Sequence, residues 1–141
     1  MTHETLDFLG APAWIKASGD ATNGRVAVIE CVDPPGEGSP LHRHTREDEW
    51  FYVLEGELTL WVGGETITAP QGAVAFAPNE VPHTFVVSSP EPARYLMVVQ
   101  PAGFEDFVRA ASQPGVEMDD LDEIAGEYGL EILGPPGLPA D

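Results

Sequence analysis

The chain is short of four things: cysteine, lysine, positive charge and long apolar runs. A single cysteine, Cys31, excludes an internal disulfide and any cysteine-rich zinc site. In the apolar run 26–32 it reads as a buried structural thiol rather than a reactive one. Lys16 is the sole lysine, and six basic residues face 24 acidic ones for a formal charge of −18. A surface so poor in cations repels phosphate backbones and anionic lipid headgroups, which leaves nucleic acid and membranes as poor partners. No apolar run approaches the roughly 20 residues of a membrane-spanning helix. The first ten residues carry Glu4 and Asp7 instead of the basic and apolar regions of a signal peptide. A cytoplasmic protein whose partners are small molecules or cations is the expectation.

Hydrophobic residues make up 43% of the chain, enough to drive folding of one domain. The 15 glycines and 14 prolines are spread along it, a distribution that suits short strands joined by tight turns. The apolar pattern divides the chain into an N-terminal arm with a short strand (1–24), a β-barrel (25–101) and a C-terminal helical extension with a tail (102–141). Within 25–101 the period is two, and Gly63-Gly64 suits a two-residue hairpin turn. After Pro101 the spacing becomes helical over 104–111 and 121–128, and Gly134-Pro135-Pro136-Gly137 reads as a turn or extended tail. The acidic stretch 117–131 lacks calcium-loop spacing and reads as a solvated helix face.

Three of the four histidines are placed suggestively. His42 and His44 are two apart in an extended segment, so both project to one face. Glu49 opens the next strand and His83 a later one. Three imidazoles and a carboxylate suit one divalent transition metal, with Fe, Mn, Co, Ni, Cu and Zn all open. An isolated His-x-His can equally sit in a polar turn and bind nothing. His3 lies in the N-terminal segment and is assigned no role. On the face of the strand that carries Glu49 stand Phe51 and Val53, with Phe85 on the face of His83, and register adds Phe76 and Met97 as further candidates for a substrate pocket.

The spacing around these residues resembles the cupin superfamily. Gly36, five residues, His42-Arg43-His44, four residues, Glu49, six residues and Gly56 match its first motif. Gly64, five residues, Pro70-Gln71-Gly72 and then the run from Phe76 to His83 match its second. The resemblance covers about 25–101. It implies an all-β fold, the double-stranded β-helix or jelly-roll barrel, with the two helical segments appended. It also implies His42, His44, Glu49 and His83 as metal ligands, with Glu49 preferred over Asp48 because the interval to Gly56 then fits. Glu47, Arg43 and Arg46 read as solvated charges. Three-His-one-Glu cupins resembling this chain include flavonol-cleaving dioxygenases, in which the carboxylate acts as base, and this gives Glu49 a catalytic expectation. The same architecture hosts metal-dependent isomerases, cyclases, lyases and non-enzymatic ligand binders, so the fold leaves the reaction open. Cupins of this kind commonly dimerise, and a homodimer acting on a small, mostly apolar enolic or aromatic molecule is the expectation.

Overall fold

The computed structural model describes residues 4–139; His3 lies outside them. Two antiparallel sheets face each other. The first has six strands in the order β1-β2-β3-β10-β5-β8: β1 (Glu4–Phe8), β2 (Ala11–Ala17), β3 (Ala27–Asp33), β10 (Ala93–Gln100), β5 (Asp48–Glu55) and β8 (Val74–Ala77). The second has five in the order β11-β4-β9-β6-β7: β11 (Leu130–Pro136), β4 (Pro40–His44), β9 (His83–Val87), β6 (Glu57–Val62) and β7 (Glu65–Pro70). Three helices, α1 (Gly19–Thr22), α2 (Phe104–Ala111) and α3 (Leu121–Glu127), complete the described elements with one 3-10 turn at Met118–Asp120. The architecture is the all-β jelly-roll barrel with short C-terminal helices.

Alternation explains which side chains meet between the sheets. In β5, Glu49, Phe51 and Val53 point inward and are almost fully buried, while Trp50, Tyr52 and Leu54 point outward. Inward residues of β3, β6, β9 and β10 complete the core, among them Ile29, Leu58, Leu60, Phe85, Val87, Met97 and Val99. The two-residue turn between β6 and β7 has Gly63 and Gly64 both at positive φ (56° and 97°), as that hairpin type requires. Gly38 answers a different need. A Cβ there would sit 1.8 Å from the Phe85 carbonyl oxygen, so only glycine lets this loop bridge to β9.

Segments on both sides of the expected barrel are built into its sheets. The arm is a β1–β2 hairpin rather than one strand, and β2 adds to β3 in the first sheet, with Ile15 in the core and Trp14 turned outward. The stretch expected to be a turn or tail instead forms β11, which pairs with β4 through Leu130 opposite His44 and Ile132 opposite His42. Its glycine and prolines are accommodated by two irregularities in register, which spare the backbone donors a proline lacks. The carboxylate of Glu105, almost wholly buried, accepts N–H bonds from Gly19 (2.7 Å) and Gly103 (2.6 Å) and so joins α2 to the arm.

Candidate metal centre and cavity

The histidine pair sits on β4, the third histidine on β9 beside it, and the glutamate on β5 in the opposite sheet. His42 and His83 are directly paired across β4 and β9. One ligand atom from each of His42, His44, Glu49 and His83 can be chosen so that all lie within 4.8 Å of one another. All four side chains are buried.

Backbone carbonyls set the ring orientations of two histidines. His42 donates from Nδ1 to the Pro40 carbonyl at 2.7 Å, and His83 from Nδ1 to the Val81 carbonyl at 3.3 Å. Their Nε2 atoms are thereby left for the cluster. Nε2 of His83 lies 3.0 Å and Nε2 of His44 3.3 Å from Oε1 of Glu49. The His44 contact is not aligned as a hydrogen bond, and both of its ring nitrogens and Oε2 of Glu49 are buried without a hydrogen-bond partner. Buried polar atoms left unpaired are costly. A divalent cation bound among imidazole nitrogens and a carboxylate oxygen would satisfy two of them at once, and this donor set is a standard one for first-row transition metals.

Electrostatics distinguish the histidines. Burial holds His42 down at about 3, assisted by the neighbouring His83 and His44, so it is a neutral donor. Burial also presses His44 downward, but the charge of Glu49 and its contacts with both Glu47 and Glu49 outweigh this and lift it to about 9. For Glu49 burial works upward and is overcome by the two histidines, which keep the carboxyl below the ordinary carboxylate range.

Glu47 is not the solvated charge its sequence context suggests. It is 2% exposed, with Oε1 3.8 Å from Nδ1 of His44 and Oε2 unpartnered. Its segment is tied to the turn after α3, where the Gly129 carbonyl accepts bonds from both the Thr45 N–H and hydroxyl at 2.8 Å each. Arg43 is half-buried and pairs with Glu131 of β11.

A cavity of about 260 Å³ opens beside the cluster and includes His42 and Glu49 in its wall. Phe51, Phe85 and Met97 line it as their register suggests. Val53 does not; it is wholly buried in the core. Phe76 requires a correction: β8 turns Ala75 and Ala77 inward, leaving Phe76 42% exposed on the outer face against Trp50, ring centroids 4.8 Å apart. The sequence reading missed the wall supplied by the chain ends. Phe8 and Pro12 come from the N-terminal hairpin, and Phe104, Phe107, Leu121, Leu130 and Ile132 from the C-terminal extension. The ring of Phe104 stands edge-on to His44 at 4.9 Å. Its signal was present as the apolar face of a short helix, which reads the same whether it covers a core or a cavity. Asp33, Glu37 and Tyr95 also line the space, and no lysine or arginine does so among the described residues.

The cupin domain family model matches residues 29–99, half of the chain. The chain belongs to the cupin family. It is 30% identical over 100 residues to quercetin 2,3-dioxygenase of Bacillus subtilis (strain 168), a match covering 71% of this chain and 29% of that protein. The chain thus spans under a third of that relative's length. Among solved structures it resembles an RmlC-like cupin from Shewanella frigidimarina, with a TM-score of 0.64 and 26% identity over 76% of this chain and 90% of the other. The polyketide cyclase RemF from Streptomyces resistomycificus aligns with a TM-score of 0.58 and 25% identity, over 70% of this chain and 73% of that one.

Proposed function

We propose that this chain is a metal-dependent cupin enzyme acting on a small, uncharged, mostly apolar enolic or aromatic molecule, and that the reaction is an oxygen-consuming one of the dioxygenase type. The observation that carries the reading is the cavity: aromatic and aliphatic walls, no cationic side chain among the described residues, and a His/Glu cluster at one end. A phosphorylated or dicarboxylic substrate would find no counter-charge in such a wall and would meet Asp33, Glu37 and Glu49. A flat hydroxylated ring system finds hydrocarbon on its faces.

His42, His44 and His83 would hold the metal, with Glu49 as fourth donor. When bound, a divalent transition metal supplies Lewis acidity to an enol or phenol oxygen. Glu49 then has two tasks open to it. It can remain a donor, or leave the cluster and take the proton of the incoming hydroxyl. Phe51, Phe85 and Phe104 exclude water from that proton transfer. Similarity to the quercetin dioxygenase supports oxygen consumption. Similarity to RemF supports a second reading, cyclisation by proton transfer without oxygen. The same proposal extends to assembly as a homodimer in the cytoplasm, through the outward apolar face of β5 and β8.

Metal analysis of the purified protein, followed by oxygen uptake with a panel of enols and phenols, tests the reading. Turnover with stoichiometric oxygen loss is expected. Turnover without it selects the cyclase reading, and tight binding without turnover under any metal overturns both enzymatic ones. Glu49→Gln should keep part of the metal while losing most activity; undiminished activity would rule out the base role.

A further inference from the structure

The cavity has a second polar end that the metal chemistry does not use. Asp33 closes β3 and Tyr95 lies next to it on β10, where Tyr95 is paired with Cys31. The Tyr95 hydroxyl donates to Oδ2 of Asp33 at 2.5 Å, and both residues line the cavity. Strand register places this pair relative to the metal centre. Along the β5–β10 ladder Val99 is opposite Glu49, Met97 opposite Phe51, and Tyr95 opposite Val53. Four residues of β10 therefore separate the Glu49 row from the Tyr95 row, about 13 Å at roughly 3.3 Å per residue. Phe51, Phe85 and Met97 fill the interval, with Phe85 5.4 Å from the Tyr95 ring and 5.5 Å from that of Phe51.

We propose that the Asp33–Tyr95 pair is a second recognition point for the substrate, accepting a hydrogen bond from a phenolic hydroxyl on the ring remote from the enol. The proposal rests on the aromatic-substrate reading and sharpens it to a molecule with polar groups at two ends and a flat apolar middle. An ionised carboxylate only accepts hydrogen bonds. One of its oxygens accepts the hydrogen bond of the Tyr95 hydroxyl, and the other oxygen is open to a further donor. Burial raises the Asp33 carboxyl above its ordinary range, with Glu37 acting in the same direction and the Tyr95 bond against it, so a neutral donor arriving there relieves an under-solvated group. An anionic substituent at the same place would face Asp33 and Glu37 without compensation. Cys31, beside the pair, is a thiol that burial and Asp33 hold protonated, so it adds no charge.

The test uses zinc-loaded protein and two probes that differ by one distal hydroxyl, 3-hydroxyflavone and 3,4′-dihydroxyflavone. The extra hydroxyl should tighten binding to the wild type about tenfold, as for a hydrogen bond to a charged acceptor. In Asp33→Ala that advantage should vanish while 3-hydroxyflavone binds within about twofold of wild type. Asp33→Asn, whose amide oxygen can still accept the Tyr95 hydrogen bond, serves if the alanine variant fails to fold and should lose part of the advantage. A wild type indifferent to the hydroxyl, or an advantage that survives in the variants, overturns the recognition point and leaves the aromatic-substrate reading standing. If neither flavone binds the wild type, that reading falls and the recognition point falls with it.

Discussion

Within the His/Glu cluster, His44 alone turns its Nδ1 toward a carboxylate. His42 and His83 orient theirs on carbonyls two residues earlier, whereas His44 faces Glu47 across 3.8 Å with both groups buried. A small side-chain rotation closes that gap to a hydrogen bond, and carboxylates so placed behind a metal-bound histidine typically govern affinity by 10–100-fold. Glu47→Gln should therefore weaken zinc binding by about tenfold or more in a competitive titration. The metal-free protein should also melt lower, because Glu47 is one of the two carboxylates that support the protonated form of buried His44. Unchanged affinity with a lower melting temperature would assign Glu47 to packing alone. Asp33 carries a pH signature. The folded state binds its proton more tightly than the unfolded chain does, so its contribution to stability is full in acid and is lost as pH rises through the folded value. The groups facing it are Tyr95, Cys31 and Glu37. Asp33→Asn should gain in melting temperature relative to wild type as pH rises above the ordinary aspartate value of about 4; a gain independent of pH would contradict this. The four clustered residues were legible because spacing and strand alternation together fix which side chains share a face. Glu47 was not. It sits in a run of charges, and local sequence does not show that its segment is tied through Thr45 to Gly129, 84 residues away.

At the scale of elements, most strands from β3 to β10 could be read from sequence because they are short β-branched or alternating runs set off by glycine or proline. The Gly63-Gly64 hairpin followed from turn chemistry alone. β11 defeated the same logic: Gly134, Pro135 and Pro136 are turn residues locally, and only pairing with β4 makes them strand. Its energetic importance lies in Leu130, which is 5% exposed, stands opposite His44 and lines the cavity. Leu130→Ala should cost about 2–4 kcal/mol in urea unfolding and should also weaken metal binding, since the strand bearing two histidines loses its support. A stability loss with unaltered metal affinity would show that β4 holds its ligands without β11. The Arg43–Glu131 pair across the same two strands joins a half-buried arginine to an exposed glutamate at the surface and contributes little by comparison.

At the scale of the molecule, the first sheet presents an outer face rich in apolar groups. Across β2, β3, β10, β5 and β8 one row runs Trp14, Glu30, Leu96, Tyr52 and Val74, and beside it Val28, Val98, Trp50 and Phe76 form another. Glu30 is neutralised within the row by Arg94 at 2.7 Å and Lys16 at 3.7 Å. A face of that kind on a protein otherwise so acidic is suited to a second copy, where apolar rows meet without bringing uncompensated acids together. Light scattering should give twice the 15.1 kDa of the chain, and Tyr52→Glu with Phe76→Glu should reduce it to one chain without loss of metal. A wild type that runs as a single chain would refute the dimer. The overall charge set an expectation about partners but located nothing; the absence of lysine and arginine from the cavity wall among the described residues is a local fact that only the folded chain displays. The rim of β11 bears on how copies can grow. Its exposed Pro135 and Pro136 offer no N–H, and two register breaks bend the strand away from a flat template. That edge cannot seed a continuous ladder from molecule to molecule, so association on this side stops at a finite oligomer and concentrated solutions are guarded there against fibrous polymerisation.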